Sequence, residues 1–212
     1  MQKIGFCDRY GLTQAVLDGK KTMTRRLIPP KVVEYALNDY RQDYYSAALD
    51  YLNDQECLEG WLVGEKKSRY KLGEVVAVAQ SYEDIYIDIT DDWEWFKKVE
   101  DAHGGKDYCL LAGTDNKMFV KPSLMPHQIK ITGVRIERLQ AISDDDCLKE
   151  GVFDSHVGYN RFGFRDKHCD HNWYYPTPRE AFAALINRPG VGRKGLWQSN
   201  PWVICYSFKL VK

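Results

Sequence analysis

The sequence predicts an α+β fold. Its strongly apolar strand candidates are Ile4–Cys7, Val75–Ala79, Ile129–Leu139 and Trp202–Leu210, and they do not alternate regularly with helices. Helical spacing is confined to a few segments. The 212 residues are 44% apolar and 28% charged, so the chain buries a full core without a metal or disulfide staple.

The elements follow in order. Ile4-Gly5-Phe6-Cys7 reads as a first short strand. Leu12, Ala15 and Val16 then take helical spacing, with Thr13 or Asp8 as cap and Gly19 at the C′ end. A basic stretch over 20–28 ends at Pro29-Pro30. Over 31–58, Val33, Leu37, Tyr40, Tyr44, Ala47, Ala48 and Tyr51 recur every three or four residues, which predicts helix. Tyr70–Glu74 turns into the buried strand Val75–Ala79. Residues 83–118 read as a poorly patterned insertion, and Lys121–Pro126 as a rigid loop. Ile129–Leu139 alternates as a strand. Ser143 starts the next helix, with Asp146 as its reciprocal capping partner and Gly151 as its end. Glu150 then falls in the last turn, where the helix dipole disfavours a carboxylate. A helix over about Arg179–Ile186 and the strand Trp202–Leu210 close the chain.

Composition excludes several classes. Thirty Lys and Arg balance thirty Asp and Glu, so the chain is neither a polyanion nor a polycation. The longest apolar runs are far short of a membrane span, and Met1–Phe6 has no signal-peptide character; a cytoplasmic protein is expected. Cys7, Cys57, Cys109, Cys147, Cys169 and Cys205 show no paired spacing and read as ordinary thiols. His168-Cys169-Asp170-His171 holds metal-binding residue types without a second ligand pair, and reads as a polar surface loop. No metal, cofactor or obligatory protein partner is called for.

Charge is nonetheless segregated. Residues 19–31 hold Lys20, Lys21, Arg25, Arg26 and Lys31 with no acid, and residues 161–194 are again basic. Two such segments predict one anion-binding face, with Arg161, Arg165 and Arg179 beside the first segment. Trp173, Tyr174 and Tyr175 lie in the second segment and are candidates for base stacking.

The segment from Val16 to Arg26 contains Gly19, Lys21 and Arg26 in the spacing G-x-K-x-x-x-x-R, and so resembles the signature of the ASCH domain. Tyr70–Val78, Lys121–Pro126, Arg135–Ser143 through Val152, and Asn200–Val203 resemble further blocks of the prophage-type branch of that superfamily, in the same order. Gln80-Ser81 stands where that branch usually has Arg-Glu. The resemblance implies a single PUA-like domain over 1–212: a bent β-barrel with flanking helices and insertions at about 31–69, 83–118 and 153–178. It implies binding of RNA or modified nucleosides. A small branch of the superfamily hydrolyses N4-acetylcytidine, and its catalytic Lys, Thr and Glu fall on Lys21, Thr24 and Glu150. Substrate contacts are then expected from Gly19, Lys20, Arg25, Arg26 and Tyr82.

The chemistry is coherent on its own terms. Amide cleavage needs a nucleophile, a base and a group that stabilises the oxyanion. Thr24 supplies a hydroxyl, and Lys21 is a base only if its ammonium is destabilised, as neighbouring cations would do. A protonated Glu150 would donate to the leaving amine, and Arg26 would hold a phosphate or polarise the carbonyl. In a straight strand Lys21 and Thr24 face opposite ways, so residues 20–24 must bend if the two share a pocket. The expected partner is a nucleoside or single-stranded RNA, with no membrane. The alternatives are a non-catalytic module binding RNA or a modified base, or a ribonuclease.

Overall fold

The computed structural model describes residues 1–43, 53–64, 67–88, 92–159 and 161–211. The first half runs β1 (Lys3–Ile4), α1 (Leu12–Leu17), β2 (Met23–Leu27), α2 (Pro30–Asp43), α3 (Asp54–Glu59), β3 (Val75–Val78), α4 (Tyr82–Asp88) and α5 (Trp93–Ala102). The second half runs β4 (Gln128–Arg138), α6 (Asp144–Lys149), β5 (Phe153–Asp154), β6 (Phe162–Asp166), β7 (His171–Tyr175), α7 (Pro178–Ile186), α8 (Leu196–Ser199) and β8 (Trp202–Leu210).

The fold is α+β, with a five-stranded sheet in the order β1-β3-β4-β8-β2 and a three-stranded sheet β5-β6-β7. β1 pairs parallel with β3, and the remaining pairs of the larger sheet are antiparallel. Among the described residues neither sheet closes into a barrel; β1 and β2 are the free edges of the larger one. β4 and β8 lie at its centre because they are the longest apolar alternating runs, and Ile129, Ile131, Ile136, Tyr206 and Phe208 are buried in the main core. No helix among the described residues is long and apolar enough to cross a membrane.

Several expectations change. The basic stretch conceals strand β2, which pairs with β8 over Met23↔Ser207 to Leu27↔Val203. Its charges escaped a strand reading because an edge strand leaves Arg26 and Leu27 in solvent while Met23 and Thr24 are buried. The insertion at 83–118 is ordered around its own core: Tyr82, Ile85, Trp95, Phe96 and Val99 pack in a second buried cluster. The segment 153–178, expected as a helical or irregular insertion, forms the strands β5–β7. The helix expected over 31–58 is represented by α2 and α3, while Tyr44, Ala47, Ala48 and Tyr51 lie outside the described residues. Neither Thr13 nor Asp8 caps α1: Gly11, at φ +66°, takes the N-cap position, and Thr13 sits in the first turn with its hydroxyl donating to Asp8. Gly19 does close that helix, at φ +70°.

The smaller sheet is tied to the start of α1 by one ion pair. Arg9 Nε and Nη2 donate to the two oxygens of Asp166 at 2.9 and 2.8 Å. That hydrogen bonding, against some burial, holds the Asp166 carboxyl at about 2 rather than 3.8. A depressed carboxyl contributes stability above the unfolded value and loses it as pH falls through the folded one. The contribution of Asp166 is therefore full above about pH 4 and gone near pH 2. Thermal melts of Arg9→Gln should show a smaller loss of Tm between neutral and acid pH than wild type; an unchanged acid slope would contradict this assignment.

Candidate active site

The site is assembled by three short stretches. After α1, Gly19 turns the chain, and Lys21 N–H donates to the Ala15 carbonyl at 2.8 Å. Thr22 N–H donates to the Lys149 carbonyl at 3.0 Å, and Phe208 N–H donates to Thr22 at 2.8 Å. These backbone bonds clamp the segment between the end of α6 and strand β8. They place Lys21 against Glu150, the residue that ends α6. Gly151 follows at φ +104°; a Cβ there would lie 2.8 Å from Leu12 Cδ2 and 3.6 Å from Lys21 Cδ. Only glycine takes that backbone conformation without strain and leaves the lysine stem its space.

The face under α6 is set by sheet register. Arg25 of β2 and Arg135 of β4 both stand opposite Cys205 of β8. Glu137, two residues beyond Arg135, points to the same side. On α6, Asp146 and Glu150 are four apart and share the helix face that covers this row. Ser143 caps α6 as expected, accepting from Asp146 N–H at 3.2 Å. The Asp146 carboxylate does not return the bond; it turns inward to Arg25 and Arg135.

The outcome is a buried ionic cluster. Lys21 Nζ donates to Glu150 Oε2 at 2.7 Å and to the Glu150 carbonyl at 2.6 Å. Arg25 Nη1 donates to Glu150 Oε1 at 3.0 Å, and its Nη2 to Glu137 Oε1 at 2.6 Å and Asp146 Oδ2 at 3.1 Å. Arg135 Nε donates to Glu137 Oε2 at 3.0 Å. Lys21 is 2% exposed and Glu150 5%. Burial pushes the Lys21 ammonium below the ordinary lysine range; Glu150 opposes this, and Arg26 and Arg25 add to it. Burial works to raise the Glu137 carboxyl, but Arg25 and Arg135 outweigh it and hold it below the usual range.

Lys21, Thr24, Arg25, Arg26 and Glu150 line one cavity of about 240 Å³. Strand β2 starts only at Met23, so Lys21 is outside the strict alternation that would have turned it away from Thr24. Arg26 Nη2 donates to the Gly5 carbonyl at 2.6 Å, which holds its guanidinium at the cavity wall. Lys117, Met118, Cys7 and Ile186 complete other parts of the wall.

Other expected contacts fall elsewhere. Gly19 and Lys20 are exposed and do not line the cavity; Lys20 pairs with Asp18 at 3.0 Å. Tyr82 is fully buried in the second core, and its hydroxyl accepts from Lys121 N–H at 3.0 Å, so substrate does not reach it. Arg25 touches the cavity, but its donors are committed to carboxylates. Glu150, expected as the proton donor, has each of its oxygens accepting from a cation, Oε2 from Lys21 and Oε1 from Arg25. The second basic segment does not supply the cations of this cavity. Arg161 pairs with Asp154, Arg165 with Asp170, and Arg179 donates to the Ile142 and Gln140 carbonyls. Trp173 and Tyr175 pack against the main core, while Tyr174 is exposed. His168–Asp170 form the turn between β6 and β7, and His171 begins β7.

Sequence reading missed Glu137, Arg135 and Asp146 as partners. Their signal was present: Arg135-x-Glu137 in a strand and Asp146-x-x-x-Glu150 on a helix each place charges on one face. Lys117 carried no such signal, since it reaches the cavity from a segment without regular periodicity. Comparison of the chain with known protein families, with curated proteins and with solved structures finds no match.

Proposed function

We propose that this chain is an amidohydrolase that removes the acyl group from an N4-acylated cytidine, within an ASCH-type, PUA-like domain built on the five-stranded sheet. The observation that carries the reading is the convergence of Lys21, Thr24, Arg26 and Glu150 on one cavity, with Lys21 and Glu150 in direct contact although 129 residues apart. The neutral Lys21 amine takes the proton of the Thr24 hydroxyl, and the oxygen attacks the amide carbon. Arg26 stabilises the oxyanion. The resulting Lys21 ammonium returns the proton to the departing N4 amine, which leaves as cytidine. Lys21 then activates water to release the acid from Thr24. Glu150 is a positioning residue: it aims the amine and is itself held by Arg25.

The cavity volume suits a pyrimidine with a small acyl group better than a long duplex, and a net charge of zero agrees with a single nucleoside or flipped base. The reading needs no cofactor and places the protein in the cytoplasm, with a nucleoside or single-stranded RNA as its partner. The Lys21–Glu150 ion pair, which favours the charged lysine, is the feature that speaks for the second reading, a non-catalytic module for RNA or a modified base.

The nucleophile is tested by Thr24→Val, which keeps the shape and removes the oxygen. Wild type mixed rapidly with N4-acetylcytidine should carry an acetyl group on the peptide containing Thr24, seen by mass spectrometry, and the variant should carry none. Full turnover by Thr24→Val would overturn the assignment.

A further inference from the structure

A second, larger cavity of about 540 Å³ adjoins the candidate site and shares Gly5, Arg26, Lys117 and Met118 with it. Among the described residues its lining contains Lys3, Arg26, Lys67, Arg69 and Lys117 and no carboxylate. Lys67 and Lys117 have carboxylates nearby, Asp39 at 3.9 Å and Asp8 at 2.5 Å. The other three are differently held. Lys3 Nζ donates to the Met118 and Val120 carbonyls at 2.6 and 2.8 Å. Arg26 donates to the Gly5 carbonyl, and Arg69 lies 5.3 Å over the Tyr70 ring. Carbonyls and a ring orient these cations without neutralising them. Arg26 and Arg69 line the same cavity and repel one another. An anion in the cavity would relieve this repulsion.

The walls between the cations are apolar, from Ile28, Val32, Leu62 and Ile204. A ligand spanning both cavities is therefore a polar amide at one end, a partly apolar body, and an anion at the other end. The fork-shaped Arg69 guanidinium matches phosphate better than a point charge does. A phosphate monoester carries roughly −1.5 to −2 at neutral pH, close to what Lys3 and Arg69 offer, while Arg26, on the wall shared with the smaller cavity, is left to the acyl oxygen.

We propose that this cavity holds the ribose phosphate of a nucleotide whose acylated base enters the smaller pocket, so that the substrate is the nucleotide and not the bare nucleoside. The proposal rests on the amidohydrolase reading for the identity of the base. Most of the cavity's own cations come from segments that differ from the signature: Lys67 and Arg69 precede the turn that leads into β3, and Lys117 precedes β4.

The test is calorimetric titration of the full chain with cytidine 5′-monophosphate, cytidine and inorganic phosphate, at low and high salt. Cytidine 5′-monophosphate should bind roughly tenfold or more tightly than cytidine, the worth of one charged hydrogen bond. That advantage should shrink as salt rises and fall several-fold in Arg69→Gln. Arg69 is exposed but bonds to the buried Tyr70, so circular dichroism of the variant is compared with wild type before titration. Equal affinity for cytidine and its monophosphate, an unchanged ratio in Arg69→Gln, or inorganic phosphate binding as tightly as the nucleotide would each overturn the proposal. Rates on N4-acetylcytidine and its 5′-monophosphate separate the two claims. No hydrolysis of either with the binding preference intact sinks the amidohydrolase and leaves the phosphate site. Hydrolysis with no preference does the reverse.

Discussion

Lys21→Arg should abolish turnover of N4-acetylcytidine while leaving the fold in place. Arginine keeps the positive charge and reaches Glu150, but it stays protonated at every working pH and cannot accept a proton. The loss is that of a general base, roughly 10²–10⁴-fold in kcat. KM should change little, because the missing interaction belongs to the transition state. Lys21→Met tests the other half of the role. It keeps the stem that packs on Gly151 but leaves Glu150 with Arg25 alone, so both kcat and thermal stability should fall. Initial-rate kinetics on both variants decide the matter. A Lys21→Arg enzyme with near wild-type kcat would show that Lys21 serves only as a charge. The pH profile of wild type should agree: burial lowers the Lys21 ammonium, so kcat/KM should rise with pH through a value below that of ordinary lysine.

Arg25→Met is expected to be the most destabilising single change in the molecule. Arg25 bridges Glu137, Asp146 and Glu150, and its side chain is 1% exposed. Removing it leaves three carboxylates to Lys21, Arg135 and the rim residue Lys149. Breaking a buried ion pair from one side costs roughly 3–5 kcal/mol, because the remaining charge keeps its desolvation penalty. That is a large share of the roughly 5–15 kcal/mol that holds a domain together. Urea denaturation should show the midpoint falling by a corresponding amount. The double variant Arg25→Met, Glu137→Gln should recover part of it, since one uncompensated charge is then gone. A loss below about 1 kcal/mol would mean that the cluster is hydrated and behaves as a surface pair.

The strands that build the centre were legible because burial imposes alternation on them. Trp202–Leu210 is recovered to the residue, and Ile129–Leu139 is shifted by one. The helix caps at Ser143 and the glycine ends at 19 and 151 were legible for a local reason, the hydrogen bond or backbone angle that each residue type supplies. Strand β2 was obscured because an edge strand needs apolar residues on one side only, and this one carries Arg25 on its buried face. A buried arginine is legible only together with its carboxylates, which lie on β4 and α6, over a hundred residues away. Strands β5–β7 were missed for a similar reason: Phe162, Phe164, Trp173 and Tyr175 alternate, but the charges between them read as a basic surface. At the site, Lys21, Thr24, Arg26 and Glu150 were named from residue types and resemblance, and the cavity brings them together. Tyr82 was misplaced because an aromatic after a strand carries no mark of whether it faces a pocket or a core.

The most direct measurement is product analysis of purified wild-type protein incubated with N4-acetylcytidine and its 5′-monophosphate. The account predicts cytidine or its monophosphate together with an equal amount of acetate, released by wild type and not by Lys21→Arg. No release from any N4-acylated cytidine by a folded wild-type protein that still binds RNA would contradict it and leave the binding module.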